Sequence, residues 1–281
     1  MAKFVQAKIT AITGDTQGRY ITYSPKLGGR STFIMKLESD DLRSAPIVSL
    51  RNGIYEPGVE RIMEVLVPSA EYFLDLGANI GFYSMFSVSL NPKIRVTAFE
   101  PNPFVRKRLF ENLLMNGYLA QVSVIHYGLS SIRGTSDFFV PPMSGSGAGS
   151  LKNLHLEEGN PSRFQVELHS LDDIFFKNSK IDLMKMDIEG SEYQAILGGE
   201  KLIADQQPVI VVELLRKWMS AFGSHPQDVV SKLSELGYVC FGINDEYLRK
   251  LRIIDENTEE TNFLFFPKSK NKTVLKKLRI I

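Results

Sequence analysis

The chain has 281 residues, 43% of them hydrophobic and 23% charged, enough for one large domain or a domain with a modest N-terminal appendage. Its net charge of +1 gives no overall attraction to nucleic acid or anionic membrane, so nucleic acid is not an expected partner. A single cysteine, Cys240 in an apolar run, excludes an internal disulfide and a zinc–thiolate cluster. The N-terminus lacks the apolar core of a signal peptide and no apolar run is long enough for a bilayer, so a cytoplasmic protein is expected.

Residues up to about Leu50 carry short alternating runs, Tyr20-Ile21-Thr22-Tyr23 and Thr32-Phe33-Ile34-Met35, which predict a small strand-rich N-terminal element. After Gly53-Ile54-Tyr55-Glu56, Pro57 opens a helix whose buried face is Val59, Ile62, Met63 and Leu66, and Pro68 stops it. From Tyr72 strand and helix alternate. Strands are predicted at Tyr72 to Leu76, Ile94 to Phe99 and Val122 to His126, with helices through Leu90 and from Phe104 to Met115, the second ended by Asn116-Gly117. Such alternation argues for a parallel sheet covered by helices on both faces.

The rhythm breaks at Pro141 to Ser150, a glycine- and serine-rich stretch between two strands, Ser136 to Val140 and Phe164 to Leu168. It reads either as a plain flexible loop or as a lid over the substrate. Further strands follow at Ile181 to Met186 and Pro208 to Val212, each ending on a carboxylate, Asp187 and Glu213. A helix from Gln227 to Leu236 and strands at Tyr238 to Ile243 and Asn262 to Phe266 complete the sheet. Residues 1–52 form the appendage, 53–267 the main domain and 268–281 a basic tail.

The sharpest chemical signal is Asp75-Leu76-Gly77-Ala78-Asn79-Ile80-Gly81, a glycine turn between an apolar strand and a helix. Doubly wound sheets bind ligands at such a turn, beyond the carboxyl ends of their strands. Glu100 ends the next strand, where a carboxylate can accept both ribose hydroxyls of an adenosine-containing cofactor. The Gly-x-Gly-x-x-Gly pattern that seats a dinucleotide pyrophosphate is absent. Asp75 before the turn suits a cationic ligand group better than a phosphate. This favours S-adenosylmethionine, which carries a sulfonium and an ammonium, over NAD. A second constellation, Lys185-Met186-Asp187-Ile188-Glu189-Gly190-Ser191-Glu192, sets three carboxylates at the mouth of the same crevice. Helix capping accounts well for Glu192 and partly for Glu189, but less well for Asp187, because a strand-end carboxylate in a crevice needs a partner.

These residues resemble the FkbM family of methyltransferases. The resemblance rests on Asp75 through Ser84, on Phe99-Glu100-Pro101-Asn102-Pro103 with Glu111-Asn112 behind it, and on Lys185 through Glu192 followed by Ile196-Leu197-Gly198-Gly199. Flanking features agree: Tyr55-Glu56-Pro57, Ser170-Leu171-Asp172-Asp173 and Asn262 to Pro267. The resemblance covers about residues 53–267 and implies a class I methyltransferase, a Rossmann-like α/β fold with a seven-stranded, mostly parallel sheet. It implies S-adenosylmethionine as cofactor and, most often, O-methylation of a sugar or natural-product hydroxyl, with N-methylation as an alternative. By position Asp75, Gly77, Asn79 and Gly81 lie along the methionine part of the cofactor, and Ser84 is a further cofactor-binding candidate. Glu100 takes the ribose with Asn102 nearby, Gly128-Leu129-Ser130 after the third strand border the adenine, and Asp187 at the end of the fourth strand is a further cofactor contact.

An alcohol is a weak nucleophile at neutral pH, so a base or a metal would help it. Asp187 is the leading candidate for base or acceptor orienter, with Glu189 and Glu192 toward the substrate. Glu213 either assists or completes a magnesium or calcium site with Asp187; no metal ligand is assigned and the metal requirement stays open. His155, beyond the glycine-serine stretch, is the one histidine placed for substrate contact, against the plainer reading of a surface residue. Trp218 walls the acceptor pocket or packs in the core. The acceptor is expected to be a small molecule or a glycan. The tail, with six basic residues and no acids, reads as weakly attracted to anionic lipid or as packed on its own domain. A NAD-dependent oxidoreductase and a non-catalytic cofactor-binding scaffold are the rival readings; the first needs the missing glycine pattern, and the second has no need of the Asp187 cluster.

Overall fold

The computed structural model describes residues 12–15, 18–25, 32–37, 55–175, 180–270 and 273–281. Gly53-Ile54 and much of the 1–52 segment lie outside them. Three antiparallel strands, β1 (Ile12–Asp15), β2 (Gly18–Tyr23) and β3 (Phe33–Leu37), form the strand-rich element. Their alternation buries Ile21, Tyr23, Phe33 and Met35 and leaves Ile34 exposed. Those four side chains share one core cluster with Phe82 and Phe86 of the main sheet's covering layer.

Helix α1 (Pro57–Leu66) has proline in its first turn and gives way to a 3-10 turn over Val67–Ser69 that contains Pro68. The alternation then runs β4 (Tyr72–Leu76), α2 (Phe82–Leu90), β5 (Arg95–Phe99), α3 (Pro103–Asn116), β6 (Val122–Ile125). Asn102 caps α3, its side-chain oxygen accepting from the Phe104 N–H at 3.0 Å. Next come β7 (Gly128–Leu129), β8 (Gly134–Val140) and β9 (Ser162–His169), a separate small sheet in the order β7-β9-β8, in which β8 and β9 are antiparallel. The remainder is α4 (Leu171–Ile174), β10 (Leu183–Met186), α5 (Glu192–Gly198), α6 (Glu200–Gln206), β11 (Val209–Glu213), α7 (Arg216–Ser220), α8 (Pro226–Glu235), β12 (Tyr238–Ile243), β13 (Leu248–Leu251) and β14 (Asn262–Pro267).

The main sheet has the order β13-β12-β14-β11-β10-β4-β5-β6. Strands β11, β10, β4, β5 and β6 are mutually parallel, and β14 runs against both its neighbours. These are the seven expected strands plus one more. The extra strand, β13, is short and carries Arg249 and Lys250, a composition that hides a strand from hydropathy. The chain passes from β4 to β5 and β6 on one side, then to β10 and β11 on the other. A crevice therefore opens between the carboxyl ends of β4 and β10.

Period-two alternation gives the sheet two cores. Phe73, Leu183, Val211 and Leu264 face the layer of α1 to α3, while Leu74, Leu76, Met184, Met186, Ile210 and Val212 face α5, α6 and α8. The same alternation turns Asp75 and Lys185 toward the α2 side, and the β4–β10 register sets these two residues directly opposite each other. The tail packs on the domain: Leu275 and Leu278 are buried, and Leu248 exchanges backbone hydrogen bonds with Arg279 and Ile281. Those apolar side chains are thus taken up by the core, which corrects the reading of a lipid-attracted tail. No helix among the described residues is long and apolar enough to cross a membrane.

Candidate active site

A cavity of about 530 Å3 fills the crevice, within the usual range for small-molecule sites. Its floor is the turn after β4. Gly77 sits at φ 84°, and a Cβ there would lie 1.9 Å from the Asp187 carbonyl oxygen, so the β4 and β10 turns touch backbone to backbone. The Asp187 N–H donates to the Leu76 carbonyl at 2.9 Å, fixing that contact. At the end of β5, the two Glu100 oxygens accept from the backbone N–H groups of Asn79 (3.0 Å) and Asn102 (2.8 Å). This clamps the carboxylate where it lines the cavity, each oxygen keeping acceptor capacity for a ligand hydroxyl. Burial pushes the Glu100 carboxyl up to about 7 against the pull of those two N–H groups.

The second wall is a charge cluster. Lys185, buried at 3% exposure, donates to Asp187 Oδ2 at 3.0 Å and lies 4.6 Å from the centre of the Tyr83 ring. Burial works against its charge, but Asp187, Glu56 and Asp75 outweigh it and hold the ammonium above its ordinary value. Asp75 accepts from the Ser84 hydroxyl at 2.7 Å, and burial lifts its carboxyl to about 6. Glu56 accepts from the Tyr83 hydroxyl at 2.6 Å. Burial raises the carboxyls of Glu56, Glu189 and Glu213, with Asp187 nearby adding to each.

The third wall is the tip of the β8–β9 hairpin. Ser144, Gly147, Ala148, Gly149, Leu151 and His155 line the cavity, so the glycine-serine stretch covers the site. Glu158 ties this cover, accepting from the N–H groups of Met143 and Ser144 (both 2.8 Å) and from the Ser144 hydroxyl, with His155 Nδ1 at 3.1 Å. These donors bring the Glu158 carboxyl down to about 2. His155 packs on Trp218 of α7 at 4.9 Å between ring centres, and Ser150 donates to the Glu189 carbonyl at 2.8 Å. The cover is thereby joined to both β10 and β11 ends.

Of the residues picked out by sequence, Asp75, Gly77, Asn79, Glu100, Gly128, Leu129, His155, Asp187, Glu189 and Glu213 line one cavity. Gly81, Ser84, Asn102 and Glu192 stand behind it. Gly81 caps α2, Ser84 is spent on Asp75, and Asn102 on the start of α3 and on Glu100. Glu192 accepts from the Ile188 (3.1 Å) and Gly190 (3.2 Å) N–H groups, closing its own turn. That is the capping role its position allowed, and Glu192 is not among the residues that line the cavity. Sequence reasoning left Lys185, Glu56, Tyr55 and Tyr83 without roles. Lys185 had a usable signal: it shares the strand face of Asp187, two residues on, inside an apolar run. Among the described residues, no three or more His, Cys, Asp or Glu side chains are grouped to hold a metal.

Raised carboxyls make the unliganded protein sensitive to alkali. Asp75, Glu100 and Glu192 bind protons in the native state at pH values where the unfolded chain has released them. Their contribution is complete below the unfolded values and lost as pH rises through about 6 to 7. The thermal midpoint of the ligand-free protein is expected to be several degrees lower at about pH 8 than at about pH 5.5. A flat or rising midpoint in scanning fluorimetry would mean these carboxyls are already ionised in the fold.

Five parallel strands, a reversed strand set among their neighbours, and a carboxylate-lined crevice at the switch point define a class I methyltransferase fold. The chain belongs to the FkbM methyltransferase family: residues 75–240, more than half of it, match the Methyltransferase FkbM domain. It is 31% identical over 159 residues to methyltransferase sdnD of Sordaria araneosa, covering 47% of this chain and 61% of that protein. It is 30% identical over 158 residues to the 2-O-methyltransferase NoeI of Sinorhizobium fredii, covering 51% and 63%. It is 28% identical over 183 residues to the hexuronic acid methyltransferase AglP of Haloferax volcanii, covering 63% and 69%. The matches thus span under two thirds of the length of sdnD and NoeI.

Proposed function

We propose that this chain transfers a methyl group from S-adenosylmethionine to a hydroxyl of a small-molecule or glycan acceptor, with Asp187 as the proton acceptor. The observation that carries the reading is a single cavity lined both by the glycine turn with Asp75, Asn79 and Glu100 and by the carboxylates Glu56, Asp187, Glu189 and Glu213, with Lys185 among them. When bound, the cofactor supplies a methyl carbon activated by its sulfonium. The chain's residues suit it: Glu100 is clamped with free acceptor capacity for ribose hydroxyls, and Asp75 is a buried carboxylate suited to a cationic group. The β8–β9 tip covers the cavity and limits water.

Asp187 takes the acceptor's hydroxyl proton as that oxygen gains the methyl, so the product ether is neutral and the proton stays on the carboxyl. Lys185 fixes the Asp187 carboxylate and Ser150 fixes the Glu189 backbone, which aligns these groups before any ligand arrives. The similarity to a 2-O-methyltransferase and to a sugar-acid methyltransferase supports a hydroxyl-bearing acceptor. Calorimetric titration with S-adenosylhomocysteine tests the reading. Saturable binding is expected for the wild type, none for NAD, and at least tenfold weaker binding for an Asp75→Ala, Glu100→Ala double variant. Well-folded protein that ignores S-adenosylhomocysteine would send the assignment to the scaffold alternative.

A further inference from the structure

A hydroxyl that is to be methylated needs two partners in the pocket: an acceptor for its hydrogen, and a donor for an oxygen that has left water. Asp187 is the first. For the second, most hydroxyls lining the cavity are engaged within the protein: Ser144 donates to Glu158, Ser191 to the Ile188 carbonyl and Tyr83 to Glu56. Two remain, Tyr55 and Tyr127, neither with a hydrogen-bond partner for its hydroxyl among the described residues. Tyr127 follows β6, which β4 and β5 separate from β10, and its ring stacks on His169 at 3.9 Å between centres. Tyr55 stands elsewhere. Burial holds its phenol well above the ordinary value, and the charges of Glu56, Asp187, Glu213 and Asp75 add to that. The last three belong to the adjacent strands β10, β11 and β4 or to their ends, so the Tyr55 hydroxyl lies close to Asp187 and keeps its proton.

The ring that carries this hydroxyl is fixed. The Tyr55 N–H donates to Glu60 at 3.2 Å, and the ring meets Phe82 edge-on at 4.7 Å and Tyr83 at 5.9 Å between centres. The next residue, Glu56, is held at φ 38°, a left-handed conformation costly to a non-glycine residue and concentrated at functional sites. Phenylalanine would make the same ring contacts; the hydroxyl adds a donor in the cavity wall. We propose that Tyr55 is a further catalytic residue, donating a hydrogen bond to the acceptor oxygen that receives the methyl. The inference rests on the methyltransferase reading above. An alcohol oxygen carries one hydrogen and two lone pairs. The hydrogen passes as a proton to Asp187, and one lone pair accepts from Tyr55. The other forms the bond to the methyl carbon as the carbon–sulfur bond breaks and leaves its electron pair on sulfur. Tyr55 keeps its own proton throughout. Its donor supports the charge the oxygen gains while losing its hydrogen, and aims the attacking lone pair.

Carbon-13 labelling of tyrosine at Cζ, whose NMR shift follows hydrogen bonding of the hydroxyl, tests the role in protein saturated with S-adenosylhomocysteine. Tyr55→Phe assigns the Tyr55 signal. Ethylene glycol, added up to about 1 M, is expected to move that signal, and to bind Tyr55→Phe roughly three- to tenfold more weakly than the wild type by saturation-transfer NMR. Release of S-adenosylhomocysteine from S-adenosylmethionine in the same glycol should fall about tenfold or more in the variant, with the KM for S-adenosylmethionine unchanged. The variant's thermal midpoint and its affinity for S-adenosylhomocysteine should match the wild type, since no ring contact or internal hydrogen bond is lost. An unmoved Tyr55 signal, equal affinity for the glycol, or equal turnover would overturn the inference and leave the methyltransferase reading intact. So would a variant that melts well below the wild type, because the hydroxyl would then be structural. Failure of the wild type to bind S-adenosylhomocysteine would overturn both.

Discussion

Asp187→Asn is expected to lower turnover by about 10²- to 10⁴-fold, the usual contribution of a positioned base, with S-adenosylhomocysteine affinity changed by only a few fold. The substitution keeps size and a side-chain oxygen that can still accept from Lys185, but removes the proton-accepting charge. The Lys185 ammonium retains Glu56 and Asp75 as counter-charges, so the pocket keeps its shape. The measurement is release of S-adenosylhomocysteine with any acceptor that the wild type methylates, beside a calorimetric titration of both proteins. Near-normal turnover would remove Asp187 from the chemistry and leave it as an anchor for Lys185. Loss of cofactor binding together with turnover would make its role structural. Only the split between the two readouts supports a base.

Gly77→Ala should be the most damaging glycine-to-alanine substitution among the described residues, costing more than about 4 kcal/mol and abolishing S-adenosylhomocysteine binding. Two separate penalties meet there. The left-handed backbone at φ 84° costs a side-chain-bearing residue roughly 1–2 kcal/mol. The added Cβ would also stand 1.9 Å from the Asp187 carbonyl, a contact that yields only if the turns after β4 and β10 separate. Gly117→Ala isolates the first penalty, since that glycine sits at φ 69° with nothing within 4 Å of a built Cβ. Urea unfolding of both variants is the test. If Gly77→Ala is no worse than Gly117→Ala, the two turns are not locked together as the geometry requires.

The sheet was readable because its strands are short apolar runs bounded by glycine, proline and carboxylates, and the central strands carry one residue type on both faces. Strand β13 was not, because Leu248-Arg249-Lys250-Leu251 has too few apolar positions to stand out from a loop. In the site, the ends of β4, β5, β10 and β11 were legible from acids placed where apolar runs stop. Whether each acid faces the ligand was not. Glu192 and Glu189 lie three residues apart on one turn, yet one bonds the turn's own amides and the other faces the cavity; only the path of the backbone decides that. Lys185 went unassigned for a related reason. A lysine inside an apolar strand looks like an interruption until the register sets it against Asp75. Glu56 lies far from the other acids in sequence, and only the packing of α1 against α2 brings it to Tyr83.

The crowding of acids around a single buried ammonium has a kinetic consequence. Glu56, Glu213 and Glu189 each feel Asp187, so a proton taken by one changes the affinity of the others. The site therefore titrates as a body. A pH–rate curve for this protein would be broad, its inflections belonging to the ensemble of protonation states and not to named side chains. Assigning one inflection to one residue would need the curve remeasured with each neighbour neutralised in turn.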